Sequence, residues 1–396
     1  MRLTICVTLL TLAACDSTPP QPIVIRDDPG QTVWSSISVD GNGACALDVD
    51  GAAFCWGLQT VCNNQACSDP VPRRLNTPVR FSMIDIGSIQ GCGLSTTREV
   101  YCWGTAHGPS LGDGVTRSSV TPVHVAFNRP AKTVSVGFAH ACLLDDQGTA
   151  YCWGDGVWAL GDGIDSNFIR QYSTPSPVAT TLKFESIAAG VVHTCAIDVN
   201  QAAYCWGIGA GALGVGARDT ACASGPSCFR SAKPEPVVGG LRWKSLSVAG
   251  SVSCGVATDG RGYCWGSVGF PADMLGAGDS QGSKSPRAVA GELFFQSIST
   301  SGQHTCGITL DGAAYCWGDG EFGRLGTGQV SVRFNTPQKV VGALQFQSIG
   351  TRDQTCGISV NHNAYCWGPP TAGQLGTGVA DLTVRTIPTR VSPPAP

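Results

Sequence analysis

The stretch CGITLDGAAYCWG, Cys306 to Gly318, decides how the rest of the chain is read, because close copies begin at Cys45, Cys92, Cys142, Cys195, Cys254 and Cys356. In every copy the second cysteine follows ten residues after the first. Equal spacing about a central turn describes a β-hairpin whose two cysteines face one another. With Cys306 opposite Cys316, Gly307 stands opposite Tyr315 and Ile308 opposite Ala314, so each face sets a small residue against a large one. The small residue is Ala46, Gly93, Ala196, Gly255, Gly307 or Gly357, and only Leu143 departs from it. At the turn, Gly51, Gly148, Gly260 and Gly312 supply the positive φ of a tight hairpin. Arg98, Gln201 and His362 stand there in the other copies, which leaves those three turns free to differ.

Working outward, a short strand precedes each hairpin, as in WSSIS at Trp34, KTVSV at Lys132 and FQSIS at Phe295. Its apolar centre lies eight residues before the first cysteine in six copies and seven in the last, from Ile349 to Cys356. After the hairpin comes Leu-Gly-x-Gly in six copies, beginning at Leu111, Leu160, Leu213, Leu275, Leu325 and Leu375. A proline follows each copy, at 72, 122, 177, 236, 286, 337 and 388, and a fourth strand is expected to begin near it, at an edge where the missing N–H does no harm. Four short strands repeated seven times predict an all-β, seven-bladed β-propeller of four-stranded blades, with a stacked solenoid as the alternative. The tryptophan after each second cysteine then serves as packing between blades. A sugar-stacking set is the competing reading of those tryptophans.

Composition agrees with many short strands joined by turns: 52 glycines, 24 prolines and only 13% charged residues in 396. The formal charge of −3 leaves no basic footprint for nucleic acid. Residues 1–14 carry one charge, Arg2, and a short apolar core, which reads as an export signal. Leu12-Ala13-Ala14-Cys15 resembles the lipobox of bacterial lipoproteins, which implies lipidation at Cys15 and a tether over 15–32. The propeller is assigned to 33–391 and a tail to 392–396. The resulting expectation is an exported chain anchored in a bacterial cell envelope, or secreted if the lipobox reading fails.

Of 20 cysteines, Cys6 lies in the signal and Cys15 is assigned to lipid. Seven recurrences of one spacing predict Cys45–Cys55, Cys92–Cys102, Cys142–Cys152, Cys195–Cys205, Cys254–Cys264, Cys306–Cys316 and Cys356–Cys366. The remaining four pair as Cys62–Cys67 and Cys222–Cys228. Zinc is disfavoured, because four ligands must converge where each repeat supplies two.

The run HTCGITLDGAAYCWG, followed by GRLGTG at Gly323 and a proline at 337, resembles the repeat of the regulator of chromosome condensation family. That resemblance implies seven blades over roughly residues 33–391. Among exported members the architecture is similar to the secreted β-lactamase-inhibitory propeller and to cysteine-rich bacterial lipoproteins. Neither a nucleotide-exchange wedge nor a basic arm is recognisable, so the exchange role of the namesake is not carried over.

Candidate sites compete with structural readings. His140, His193 and His304 stand two residues before first cysteines, but ligands a blade apart seldom converge, and hydrogen bonding within the strand connection is expected instead. Asp113 and Asp162 read as turn formers and not as calcium ligands. No nucleophile elbow, phosphate loop or zinc-protease motif is present, so no catalytic residues and no cofactor are assigned. Length variation is more informative: from hairpin tryptophan to proline the distances are 16, 19, 24, 30, 21, 20 and 21 residues. It concentrates between third and fourth strands, on one face of the ring, where recognition is usually carried. Aromatic and arginine residues suited to interface anchors gather there: Trp158, Phe168, Tyr172, Arg218, Phe229, Arg230 and Phe270. A protein-binding scaffold is expected, touching the membrane only through lipid. A glycan or peptidoglycan-binding module is the alternative, and a hydrolase with a site in the central channel a more remote one. Ring closure is open between an added strand at Pro22 to Ile25 and self-completion of the last repeat near Val391.

Overall fold

The computed structural model describes residues 32–395 apart from 42, 59–67, 106, 107, 109, 157, 166–169, 210, 219–229, 267–272, 380 and 381. The signal, Cys15, nearly all of the tether, Pro22 to Ile25, Cys62, Cys67, Cys222, Cys228, Phe168, Phe229 and Phe270 therefore lie outside the described residues. Seven four-stranded antiparallel sheets follow one another, each made of four consecutive strands in sequence order. In the sixth blade these are Phe295–Thr300, His304–Thr309, Ala314–Asp319 and Arg333–Lys339. All seven first strands line one central channel of about 310 Å³, so the blades form a closed propeller.

The hairpin register is the one the spacing requires. Cys306 faces Cys316, and Gly307 faces Tyr315. Every blade carries this disulfide, with Cα atoms 4.0 to 4.1 Å apart. Each closes a loop of about eleven residues, contributing on the order of 2–3 kcal/mol through the unfolded chain.

The small residue on the second strand serves a ring other than the tyrosine opposite. A Cβ on Gly93 would lie 2.5 Å from the ring of Phe81, and one on Gly307 would lie 2.6 Å from that of Phe295. The first-strand aromatic thus sits over the backbone of its neighbour. Blade three inverts the arrangement: Ala131 occupies the aromatic position, Leu143 the small one, and both are fully buried. The departure at Leu143 is a volume-conserving exchange of large and small partners.

Two expectations change in detail. Arg98, Gln201 and His362 adopt φ of 70°, 66° and 64°, within ten degrees or so of Gly148 at 73°, so the three turns do not differ. The reason lies in the next blade: the carbonyl of the turn residue accepts the N–H that opens the following first strand, from Phe81 to Gly51 (2.8 Å), Ala131 to Arg98 (2.9 Å) and Trp243 to Gln201 (2.8 Å). The fourth strands also run through their prolines and do not begin at them, ending on Pro177 and Pro236 in blades three and four. They are the outer edge of each sheet, where a proline leaves no ladder bond unmade.

Neighbouring blades are joined chiefly by one recurring carbonyl, that of the residue before Leu-Gly. The indole Nε1 of Trp153, Trp206, Trp265 and Trp317 donates to Ser110, Ala159, Ala212 and Met274 of the preceding blade at 2.9 to 3.0 Å. The hydroxyls of Thr194, Ser253 and Thr305 reach the last three of these same oxygens at 2.8 to 3.0 Å. The following glycine, at 112, 161, 214, 276, 326 or 376, has φ between 66° and 74°, and a Cβ there would lie 2.5 to 2.8 Å from the indole nitrogen. Both the left-handed backbone and the close approach demand glycine.

The ring closes with the same bonds. Trp56 Nε1 donates to Gln374 O at 3.0 Å, Trp34 N to His362 O at 2.9 Å and Gly378 N to Pro70 O at 2.7 Å. The last blade is completed by Arg385–Arg390 of its own repeat, and Ala395 N adds a bond to Pro72 O of the first blade at 3.0 Å.

Replacing Gly276 by Ala should destabilise the propeller by about 2–5 kcal/mol, from positive-φ cost plus overpacking against Trp317. Gly302→Ala, with no atom within 4 Å of the new Cβ, should be near neutral. Paired urea titrations read the difference. The blade cysteines are at most 2% exposed, so thiol-labelling mass shifts after reductant treatment should appear only when denaturant is added.

Candidate binding site on the loop face

First-to-second and third-to-fourth strand connections emerge on one side of the ring, as antiparallel order requires. Gln303 and Asp353 from the former share a cavity with Glu321, Pro369 and Thr371 from the latter. The scaffold beneath is fixed by the interblade carbonyls, so side chains on these connections have defined positions.

Trp158 is the most distinctive of them. It lies two residues before Leu160, where Gly211, Gly323 and Gly373 stand before their own leucines, and it shares their left-handed backbone with φ 60°. The equivalence extends to the turn bond: Gly161 N donates to Trp158 O at 3.1 Å as Gly214 N does to Gly211 O at 3.0 Å. A bulky residue at positive φ costs about 1–2 kcal/mol, which three blades avoid. At this position the side chain is directed against the next blade's outer strand, where a Cβ on Gly373 would meet Pro70 at 2.8 Å. Trp158 accordingly lies under Arg230, whose guanidinium carbon is 4.2 Å from the ring centroid. Arg230 also faces Asp165 at 3.7 Å.

The other described candidates are engaged locally. Tyr172 donates its hydroxyl to Asp162 at 2.9 Å, with Arg170 3.3 Å from the same carboxylate. Arg218 pairs with Glu235 at 2.8 Å. The structure thus brings Trp158 and Arg230 together and places Tyr172 and Arg218 in separate ion-pair clusters. Asp113 and Asp162 accept from Val115 N at 3.1 Å and Ile164 N at 2.9 Å, closing their turns. Position-by-position comparison of the repeats, and not spacing alone, is the signal that would have singled out Trp158.

The three histidines act across blades. His140, His193 and His304 present Nε2 to the hydroxyls of Thr194, Ser253 and Thr355 in the next blade at 3.0, 2.9 and 2.7 Å. The expected bond within the strand connection is seen at His304, whose Nδ1 meets Ser301 Oγ at 3.2 Å. No cluster of three metal-ligating side chains occurs among the described residues.

In the channel a second ring of bonds joins the first strands. Ile86 N donates to Ser38 Oγ (3.0 Å), Val136 N to Asp85 Oδ2 (2.8 Å), Ala189 N to Ser135 Oγ (3.0 Å) and Thr300 N to Ser247 Oγ (3.0 Å). Asp85 also accepts from the Ser38 and Ser135 hydroxyls. Burial raises its carboxyl pKa, while these three donors pull it down. Its oxygens are thus committed to holding three blades together, and it is the one carboxylate lining the described channel.

Residues 131–157 and 295–324 match the profile of the Regulator of chromosome condensation (RCC1) repeat, and 311–357 match a second profile of that repeat. The matched segments lie in blades three, six and seven, where the chain is similar to the RCC1 repeat. The chain is also similar to the Ultraviolet-B receptor UVR8 of Arabidopsis thaliana, 29% identical over 67% of this chain and 62% of that protein. The mitochondrial RCC1 domain-containing protein RUG3 of the same plant is 29% identical over 59% of this chain and 53% of its own length. The chain thus spans less than two thirds of these relatives. Among solved structures, yeast RCC1 (Prp20) bound to Kap60 superposes with TM-score 0.70 at 20% identity over 83% of this chain and 80% of that one. Human WBSCR16 gives 0.69 at 20% identity, over 82% and 85%. At such identity these structures speak for the fold alone.

Burial holds the three histidines neutral: the pKa falls to about 4 for His140 and His193 and about 3 for His304. Between those values and the unfolded value of about 6.5 the unfolded chain binds more protons, so stability is complete above pH 6.5 and is lost as pH falls through 4. Each imidazole contributes on the order of 3 kcal/mol to this slope. Substituting all three by Gln, the residue blades two and seven use as Gln90 and Gln354, should flatten stability between pH 7 and 5, measured by urea titration at each pH.

Proposed function

We propose that this propeller is an extracytoplasmic, lipid-anchored scaffold that binds a protein partner through its loop face and performs no catalysis. The observation that carries the reading is Trp158, held at φ 60° where three other blades have glycine and stacked with Arg230. Tryptophan and arginine are the residues most often found as interface anchors, and an aromatic under a guanidinium presents a rigid, partly desolvated contact. Structural neighbours of the same fold bind proteins: yeast RCC1 (Prp20) is seen bound to Kap60, and Prp20p has binding properties towards Gsp1p and histones. Such binding is carried over as a class, not as partners. The export signal and the Cys15 lipobox support the envelope location, as do seven buried disulfides, which persist in oxidising compartments.

Trp158→Gly restores the residue used at 211, 323 and 373, so the fold should melt at or slightly above the temperature of the parent. Crosslinking capture from the native envelope should lose its principal partner at least tenfold in this variant and in Arg230→Ala. Equal recovery of that partner by parent and both variants would remove the blade-three face from the proposal. Radiolabelled palmitate incorporation that survives Cys15→Ser would count against the anchor.

A further inference from the structure

The residue before Leu-Gly has one structural duty, to present its carbonyl to the next blade, and the backbone alone discharges it. In blades two to five its side chain is that of Ser110, Ala159, Ala212 or Met274. Blades six and seven place Arg324 and Gln374 there, 3% and 1% exposed. Burying a guanidinium is costly unless it is paired. Arg324 donates through Nε to Glu321 O at 2.8 Å and through one terminal nitrogen to Gln303 Oε1, yet forms no ion pair among the described residues. Its other terminal nitrogen has no acceptor among them.

Arg324 and Gln374 are the buried floor of a cavity of about 260 Å³ between blades six, seven and one. At its mouth stand Glu321, Asp353 and Phe322, all exposed. Asp353 belongs to the connection that is one residue shorter than in the other blades. Phe322 is a further non-glycine residue at positive φ, 56°, with its ring 5.9 Å from the Arg324 guanidinium carbon. Burial lowers the Arg324 pKa, and the charges of Asp319, Asp353 and Glu321 oppose that shift. The cavity is therefore dipolar, with a cation at the bottom, two carboxylates at the rim and an aromatic face beside them. Its volume falls below the range of about 300–1,000 Å³ of drug-sized pockets, which suits one compact molecule and no oligomer.

We propose that this cavity binds a small zwitterion of the α-amino-acid class, its carboxylate inward on Arg324 and its ammonium outward between Asp353 and Glu321. A carboxylate supplies the charged acceptor that the remaining terminal nitrogen of the guanidinium lacks. An ammonium at the rim meets two acidic groups and the Phe322 ring. The site lies across the ring from Trp158 and does not depend on the protein-binding reading.

Calorimetric titration of the full chain with free glycine, alanine, serine, glutamate and lysine tests the assignment, with acetate and ethylamine as half-ligands. At least one amino acid should bind saturably and with one site per chain. Arg324→Met, which installs the residue of blade five, should weaken that binding at least tenfold, and Asp353→Asn should weaken it several-fold. Acetate should bind more weakly than the amino acid, lose binding in Arg324→Met and keep it in Asp353→Asn. Thermal melts without ligand keep the test clear of folding: Arg324→Met should be no less stable than the parent, since it removes an unpaired buried charge. The proposal is overturned by absence of saturable binding across the panel, by binding indifferent to Arg324→Met, or by acetate binding as tightly as every amino acid. A large loss of thermal stability in Arg324→Met would equally overturn it, by showing the arginine to be structural.

Discussion

In blades three, four and five the carbonyl of the residue before Leu-Gly accepts two bonds from the blade that follows, one from a tryptophan indole and one from a neighbouring hydroxyl. Burying the indole supplies the area that holds two sheets together, but apolar contact is non-directional and would let them slide. The bonds fix the angle, because the oxygen is carried by a turn whose glycine permits both the left-handed backbone and the approach of the ring. A ring of seven closes only if each junction repeats that angle. The bond from Trp56 to Gln374 shows the last junction to be of the same kind.

This anchorage lies at the base of the third-to-fourth strand connections. Beyond it the chain can lengthen at little thermodynamic cost, since loop-closure entropy grows slowly with length. The scaffold consequently tolerates connections that differ from blade to blade while the sheets beneath keep one strand order and one hairpin register. Function can be placed on the loop face without disturbing the core. The opposite side has no such freedom, because hairpin turns there are tied to the next first strand through their carbonyls, whether the turn residue is Gly51, Arg98 or Gln201.

Departures from the repeat fall into two kinds. Leu143 with Ala131 is compensated within the blade and leaves packing intact. Trp158 stands where three blades have glycine and carries backbone strain, and Arg324 stands where blades two to five have Ser, Ala, Ala and Met and carries a buried charge with no ion pair among the described residues. Strained backbone and unpaired buried charge are tolerated where something outside the fold repays them. These two departures lie in different parts of the loop face.

The sequence by itself determined the blade. Seven equal cysteine spacings impose one hairpin register, period-2 alternation assigns faces, and seven repeats of four strands favour a propeller over a solenoid; all are local or counted along the chain. It also pointed to the loop face, through the lengths between Trp and Pro, and included Trp158 and Arg230 among seven candidates. Only the tertiary structure showed that Trp158 and Arg230 form one stacked pair while Tyr172 and Arg218 serve local ion pairs. It alone showed that a glycine facing the tyrosine, as at 93 and 307, makes room for a first-strand ring, and that non-glycine turns keep positive φ. The cavity of Arg324, Gln374 and Asp353 was likewise invisible in one dimension, because it joins three blades whose residues meet only when the ring closes. Register is written in neighbouring residues, but sites at blade junctions depend on the angle at which blades meet, and that angle is set by bonds between residues some fifty positions apart.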